Sequence, residues 1–400
     1  MEQKTSPPVA ERSLRVIPWL VAMAFFMQML DATILNTAIP AIAGSLNESP
    51  LRMQSVVIAY MVTVALLIPA SGWLADRFGA KRVFFLAILI FCLGSLLCAV
   101  SRTLTQMVLS RVVQGVGGAL MAPVGRLTVL RAFPRQQLVQ VMSFITIPGL
   151  VGPLLGPTVG GLLVQYASWH WIFLINLPVG LVGCVLAVLY MPALKDVAVR
   201  RFDWIGFLLF GISMVAITMA VEGMGELHLP LSFTVGALVF GLLALVGYCL
   251  YALRAGNPLF KLAIFKIRSF SVGIAGNFFA RLGSGAMPFL LPLLLQVGLG
   301  FSPAVAGLTM IPSSIFSIFS KILVTPLLRV FGFRRVLVVN TVLLGLFIVS
   351  FSHIGVHTPY WLIILHLILF GAANSLQFSA MNTVTLIELT PEYAAGGNSI

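Results

Sequence analysis

Charged residues are scarce in this chain. Only 9% of its 400 residues are Asp, Glu, Lys or Arg, and only 11 residues are acidic. Soluble proteins carry roughly 25% charged residues, so this composition argues against a soluble protein. Instead, 60% of the residues are hydrophobic, and apolar runs recur that are long enough to cross a hydrocarbon core of about 30 Å. The sequence therefore predicts an all-α polytopic membrane protein.

Several signatures of other protein classes are also missing. The four cysteines, Cys92, Cys98, Cys184 and Cys249, lie in apolar runs without metal-ligand spacing, so we interpret them as small core residues. The sequence contains no nucleotide-binding loop, no metal cluster and no nucleophile–base pair, which argues against an enzyme and against a bound cofactor. The polar segment 1–15 leads into a helix that is too long for the apolar core of a signal peptide, so we predict no cleaved signal.

The apolar runs predict twelve membrane crossings joined by short connections. Their approximate bounds are residues 16–40, 53–74, 83–100, 105–125, 138–163, 171–190, 204–222, 232–252, 270–296, 303–325, 335–353 and 360–383. Basic residues accumulate in every second connection, whereas the alternate connections contain only Arg52 and Arg102. The positive-inside rule therefore places the N-terminus in the cytoplasm. Because the net charge of +13 follows the loops, it indicates a lipid bilayer and no nucleic-acid partner.

One acid lies deep in a predicted membrane helix. Asp31 is in the first helix, whereas the other acids fall in predicted loops, tails or helix ends. A charged side chain at the centre of a bilayer costs at least ~2.5–3.5 kcal/mol, so it normally faces a cavity or a partner. We therefore interpret Asp31 as a functional residue. The alternative is a structural acid that is capped by a neighbouring hydroxyl or arginine.

Polar side chains also occur in the fourth, ninth and twelfth predicted helices. Two of them are arginines, Arg111 in the fourth helix and Arg281 in the ninth. The neutral polar residues of the same helices are Gln114, Asn277, Ser284, His366, Asn374 and Gln377. A second interpretation of Arg111 is that it lies near the start of its helix and extends its side chain toward the membrane surface. A lone histidine such as His366 is more often a hydrogen-bonded structural residue than a proton relay.

The connection after the second helix is rich in glycine and charge. Its marked residues are Gly72, Asp76, Arg77, Gly79, Lys81 and Arg82. Glycine permits a tight turn here, and the charges can tie helix ends together. A similar string at residues 331–336 aligns with residues 78–83, which predicts two related halves.

The fifth predicted helix combines glycine with proline. Gly152, Gly156 and Gly160 are four residues apart and form one face against which a backbone can pack closely. Pro153 and Pro157 remove main-chain hydrogen bonds, so we expect a kink. Packing alone would explain this pattern, and a hinge in a moving protein is compatible with it.

Together these strings resemble the major facilitator superfamily. Residues 72–82 resemble its signature cytoplasmic loop, residues 111–118 its fourth-helix motif associated with proton coupling, and residues 149–161 its fifth-helix antiporter motif. The antiporter-motif residues are Gly149, Gly152, Pro153, Gly156, Pro157, Gly160 and Gly161. The resemblance spans essentially the whole chain.

Three further strings narrow the resemblance to the fourteen-helix drug:proton antiporters of the EmrB/QacA type. They are residues 30–40, 169–180 and 296–312. His170 departs from this pattern, because many relatives have arginine there. The chain stops before what would be helix thirteen, so the resemblance implies that the last two helices are missing.

The resemblance implies a domain organisation and a function. The major facilitator fold would comprise a cytoplasmic tail (1–15), a six-helix bundle (16–190), an inserted two-helix linker (204–252), a second bundle with four helices present (270–383) and a truncated cytoplasmic segment (384–400). The implied activity is proton-driven export of small organic compounds across a bacterial inner membrane by alternating access. The proton gradient would supply the energy, with protons and a small molecule as the transported partners.

The resemblance also implies site residues, and it leaves alternatives open. Asp31 and Arg111 would couple protons to transport. The substrate cavity between the bundles would be lined by Gln28, Asp31, Arg111, Gln114, Asn277, Arg281, His366, Asn374 and Gln377. Two intramembrane arginines against one acid favour an anionic metabolite or metal chelate as the cargo. A membrane scaffold or regulator that does not transport is a further alternative, and periplasmic or outer-membrane efflux partners are left open.

Overall fold

The computed structural model describes residues 11–192, 202–224, 230–256, 258–260 and 262–386. Within these ranges the chain is helical and contains no β-strand, which confirms the predicted all-α class. The α-helices are α1 (Glu11–Leu46), α2 (Gln54–Phe78), α3 (Ala80–Ala99), α4 (Leu104–Ala132), α5 (Arg135–Tyr166), α6 (Trp171–Leu174), α7 (Asn176–Tyr190), α8 (Trp204–Met224), α9 (Leu231–Arg254), α10 (Arg268–Ser284), α11 (Met287–Leu293), α12 (Pro303–Thr309), α13 (Ile311–Ser350) and α14 (Tyr360–Leu386). Predicted features at residues 1–10, 193–201, 225–229 and 387–400 lie outside the described residues.

Eleven helical segments of the described chain are long and apolar enough to cross a membrane. One of them, Pro303–His353, contains 51 residues. As a helix it would measure about 75 Å, more than twice the thickness of a hydrocarbon core. Gly332 interrupts it with a non-helical φ of 74° and ψ of 158°. Division at Gly332 therefore gives the twelve crossings that the sequence predicts.

Gly332 shares its backbone conformation with Gly79, the residue between α2 and α3. Gly79 has a φ of 90° and a ψ of 134°. Positive φ values of this kind are readily adopted only by glycine. The two strings that the sequence analysis aligned thus form similar turns between consecutive helices, which agrees with two related halves.

The chain divides into two compact units. The first comprises residues up to Ala32, Ala41–Pro153 and Ser168–Tyr251, and the second comprises Thr33–Pro40, Leu154–Ala167 and residues from Ala252 onward. This division differs from the predicted bundles, because residues 33–40 and 154–167 join the second unit. Helix α8 and most of α9, predicted as an inserted pair, belong to the first unit, which ends at Tyr251.

Glycines set the helix spacing in the first unit. A Cβ atom on Gly117 of α4 would lie 2.5 Å from the main-chain oxygen of Ala87 in α3. A Cβ atom on Gly94 of α3 would collide with the backbone of Gln114 in α4. Real Cβ atoms do not approach other atoms so closely, so these positions admit only glycine without a shift of the helices. The close contact brings polar side chains of α3 and α4 together.

Helix α5 runs through Pro153 and Pro157 without interruption, so the prolines do not divide it. Its glycines pack against neighbouring backbones, as the sequence predicts. A Cβ atom on Gly160 would lie 2.6 Å from the main-chain oxygen of Ile34 in α1. A Cβ atom on Gly161 would collide with the main-chain oxygen of Pro303 in α12. This packing against α12 explains why the end of α5 belongs to the second unit.

Candidate functional site

The deep acid of α1 forms an ion pair with the arginine of α4. Asp31 and Arg111 each expose only 1% of their side chains. Arg111 Nη1 donates to Asp31 Oδ2 at 2.7 Å. Arg111 therefore points at the acid rather than toward the membrane surface. The pair is energetically sensitive, because removing one partner of a buried ion pair typically costs about 3–5 kcal/mol.

Gln114 bonds to both members of this pair. It follows Arg111 by three residues, so the two side chains lie on the same face of α4. Gln114 Nε2 donates to Asp31 Oδ1 at 2.8 Å, and Gln114 Oε1 accepts from Arg111 Nη1 at 2.7 Å. One amide group thus holds the acid with its nitrogen and the base with its oxygen.

Two buried residues that the sequence analysis did not select complete the shell around Asp31. Asn176, at the start of α7, donates from Nδ2 to Asp31 Oδ1 at 3.0 Å. Ser95 of α3 accepts from Asn176 Nδ2 at 3.1 Å and from Gln114 Nε2 at 2.7 Å. Oδ1 of the acid therefore accepts two neutral amide donors, whereas Oδ2 accepts from the arginine.

The aromatic face of Tyr60 in α2 covers the arginine. The Arg111 Cζ atom lies 4.2 Å from the centroid of the Tyr60 ring. A cation–π contact of this kind is worth about 2 kcal/mol or more when it is desolvated. Arg111 Nε is a buried polar atom of the ion pair without a hydrogen-bond partner in the described chain. The Tyr60 hydroxyl and the Gln28 side chain lie close enough to interact with each other. Gln28 precedes Asp31 by three residues and therefore shares its face of α1.

Arg281, the second intramembrane arginine, has a different environment in the second unit. It is exposed on α10, and its Cζ atom lies 5.0 Å from the ring centroid of Phe378 in α14. No acid in the described part of the chain forms an ion pair with it. One turn earlier on α10, Asn277 Nδ2 donates to Asn382 Oδ1 at 3.2 Å. Arg281 is thus a cation in a membrane helix. In the described chain its guanidinium packs on an aromatic ring and has no acidic partner.

The polar residues predicted on the twelfth helix make local bonds within the second unit. Gln377 is 3% exposed and accepts from Asn340 Nδ2 at 2.8 Å. His366 Nδ1 lies 3.2 Å from the main-chain oxygen of Leu362, and its ring packs edge-on against Phe351. These contacts favour the structural interpretation of His366. Asn374 is half-buried on the same helix.

Residues 21–400 match the family model of the Major Facilitator Superfamily. This chain belongs to the major facilitator superfamily. It is 50% identical over 388 residues to the "Putative multidrug resistance protein MdtD" of Pectobacterium atrosepticum, covering 97% of this chain and 83% of that protein. It is 51% identical over 385 residues to the protein of the same name from Escherichia coli O17:K52:H18, covering 96% of this chain and 81% of that protein.

Two solved transporter structures share the fold. A peptide transporter POT in complex with sulfate aligns with a TM-score of 0.68 at 15% identity, covering 96% of this chain and 85% of that chain. The nucleoside transporter NupG aligns with a TM-score of 0.66 at 14% identity, covering 96% of this chain and 86% of that chain. The family match and the apolar helices together identify the protein as a multi-pass membrane transporter of this superfamily.

The superfamily's signature loop, predicted at residues 72–82, ties helices together in this member. Asp76, near the end of α2, accepts from Arg131 Nη2 of α4 at 2.7 Å. Gly79 provides the positive φ that the turn requires. A Cβ atom on Gly72, by contrast, would meet nothing within 4 Å, so the fold itself does not require glycine there. The remaining basic residues of the loop, Arg77, Lys81 and Arg82, are exposed or half-buried.

Proposed function

We propose that this protein is a proton-coupled exporter of small organic compounds across a bacterial inner membrane, and that it works by alternating access. The observation that carries the proposal is the buried ion pair between Asp31 and Arg111. Charged residues inside membrane helices commonly mark substrate or proton pathways. Two relatives that share about half of their residues with this chain are named "Putative multidrug resistance protein MdtD", which supports drugs as the cargo.

The geometry around Asp31 suggests how a proton would drive the change. Proton binding at Asp31 displaces the bond from Arg111 Nη1 and removes the charge that holds the arginine. Arg111 retains the Gln114 oxygen and the Tyr60 ring as partners, so it does not become an isolated cation. One proton that crosses the membrane supplies about 2.3 kcal/mol per 100 mV. The buried polar groups of Gln28 and Tyr60 support a polar pathway beside this pair.

The proposal is tested with the purified full chain in proteoliposomes that contain a pH-sensitive dye. When the interior is acidic, addition of a transported drug outside should alkalinise the interior, because each molecule enters in exchange for protons. A panel of lipophilic cations and neutral drugs identifies the cargo. If the drug accumulates equally well after an ionophore collapses both the pH gradient and the membrane potential, proton coupling is excluded.

The proposal includes a cytoplasmic N-terminus, which places the α4–α5 connection inside and the connection before α14 outside. In a variant without its native cysteines, we expect His357→Cys to react with an impermeant maleimide in intact cells. Gln137→Cys should react only after permeabilisation. Both side chains are exposed, so burial does not limit labelling. The reverse labelling pattern would show that the N-terminus lies outside the cytoplasm. The proposed direction of transport, export, would then lose its support.

Export of an anionic compound is a second candidate function, favoured by Arg281. An unpaired arginine inside a membrane helix is costly, and a substrate carboxylate would provide its missing partner through paired hydrogen bonds. The Phe378 ring beside it would add an apolar surface for the rest of such a molecule. Asn277 and Ser284, on the same face of α10, would provide further polar contacts.

Substitution of Arg281 separates this candidate from a purely structural role. We expect Arg281→Gln to lose export of anions at least tenfold while export of neutral or cationic drugs is unchanged. Arg281→Lys should retain part of the anion export, because it keeps the charge and loses the planar fork. The measurement is uptake of labelled anionic and cationic compounds by the same vesicle preparations. An equal loss for every compound would assign Arg281 a structural role.

A further inference from the structure

Asn176 donates a hydrogen bond to Asp31 from helix α7, whereas the family motif near this acid lies in α4. It is 1% exposed, and both of its amide hydrogens are used. One hydrogen goes to Asp31 Oδ1 and the other to Ser95 Oγ. A flip of the Asn176 side-chain amide, which exchanges the positions of Oδ1 and Nδ2, would place the oxygen against both Asp31 and Ser95. The donor orientation toward the acid is therefore fixed.

Ser95 links the two amides that bind Asp31. Its hydroxyl oxygen accepts from Gln114 and from Asn176, and a serine oxygen has two lone pairs for this purpose. Ser95 is fully buried, so water does not compete for these bonds. The result is a fixed pair of neutral donors, from α4 and α7, at one oxygen of the acid.

The two oxygens of Asp31 are consequently unequal. Oδ1 accepts two donors that do not titrate, and Oδ2 accepts from Arg111. The titratable groups that face Asp31 in the described chain are Arg111 of α4, Tyr60 of α2 and Cys98 of α3. None of these groups lies on α7. Because asparagine does not titrate, Asn176 contributes a neutral donor to the acid.

We infer that Asn176, oriented by Ser95, is a positioning residue that confines the coupling proton to Oδ2 of Asp31. The inference rests on the proposed function, because it assigns the atom at which the proton acts. The proton binds Oδ2, the bond from Arg111 Nη1 to Oδ2 breaks, and the net charge of the pair changes from zero to +1. Oδ1 keeps both amide donors throughout. Proton binding is thereby converted into release of the arginine.

Removal of the Asn176 donor should make proton binding easier, because the donor stabilises the charged carboxylate. In Asn176→Leu we expect the midpoint of proton binding to move to higher pH by about one unit, a tenfold change in proton affinity. Ser95→Ala should move it in the same direction by a smaller amount, since the amide loses its second bond. The matched control is Asn340→Leu, which removes a buried asparagine that donates to Ala373 and Gln377 in the second unit.

The measurement is infrared difference spectroscopy of the carboxyl stretch in the purified full chain, with Asp31→Asn as the blank, together with the pH profile of drug–proton exchange. An unchanged midpoint in either Asn176→Leu or Ser95→Ala, relative to wild type, would overturn the inference. Ser95→Ala serves if Asn176→Leu does not fold. An equal shift in Asn340→Leu would also overturn it, because the effect would then be general. A shifted carboxyl midpoint without any exchange in wild type would overturn the proposed function and leave the proton assignment standing.

Discussion

Vesicles that contain Asp31→Asn should fail to accumulate any drug when a pH gradient is imposed. Asparagine nearly preserves the size of the side chain but carries no exchangeable charge. Wherever its amide nitrogen points, it faces a donor: Arg111 Nη1 at one position, or Gln114 and Asn176 at the other. We therefore expect loss of uphill export, with at least a hundredfold lower accumulation, and a lower thermal stability. The measurement is the ratio of internal to external drug at steady state.

Glu48→Gln is the matched control for this variant. Glu48 pairs with Arg52 near the surface, where an ion pair contributes about 0–1 kcal/mol. We expect it to accumulate drug as the wild type does. If Asp31→Asn vesicles also accumulate drug in response to the gradient, then another group carries the proton and the assignment of Asp31 is wrong.

Hydropathy and charge were sufficient to predict the membrane helices and to single out Asp31 and Arg111 as charges inside them. A bilayer core requires long apolar helices, and a charged residue within one stands out because it is expensive. The helix ends were less predictable. Helix α4 continues to Ala132, beyond the predicted end at residue 125, because backbone hydrogen bonding does not stop where the apolar run stops.

The neutral residues around Asp31 could not be selected in the same way. Serine and asparagine carry no charge and are tolerated in membrane helices, where their side chains often form hydrogen bonds to the local backbone. Ser95 meets Gln114 because Gly94 allows the backbone of α4 to approach α3. Asn176 reaches the acid from residues that are distant in sequence. Such convergence is a property of the packing of four helices, α1, α3, α4 and α7, and leaves no signal in any one of them.

The polar residues of the second unit show a related limit. Gln377 and His366 were both predicted to line a cavity, but lipid and protein interior are both apolar, so hydropathy does not tell which side of a helix faces a cavity. In the structure Gln377 bonds to Asn340 and His366 bonds to its own helix. Arg281 differs from these two residues, because its charged side chain is exposed on α10.

The second large effect is expected from a double-mutant cycle at the ion pair. Arg111→Met leaves the Asp31 carboxylate without a counter-ion, and Asp31→Asn leaves the guanidinium without one. Each single variant should lose about 3–5 kcal/mol of stability, since an uncompensated charge then remains buried. The combination removes both charges, so the double variant should be more stable than either single variant.

Stability in this cycle is measured by unfolding in mixed micelles with increasing SDS, and transport by accumulation in vesicles. Recovery of stability without recovery of uphill export is the expected result, because the double variant has regained neutrality and still lacks the proton-binding group. Additive losses of stability would mean that the two charges do not stabilise one another, contrary to the 2.7 Å contact. Recovery of uphill export would mean that Asp31 serves only to neutralise Arg111, and that protons cross elsewhere.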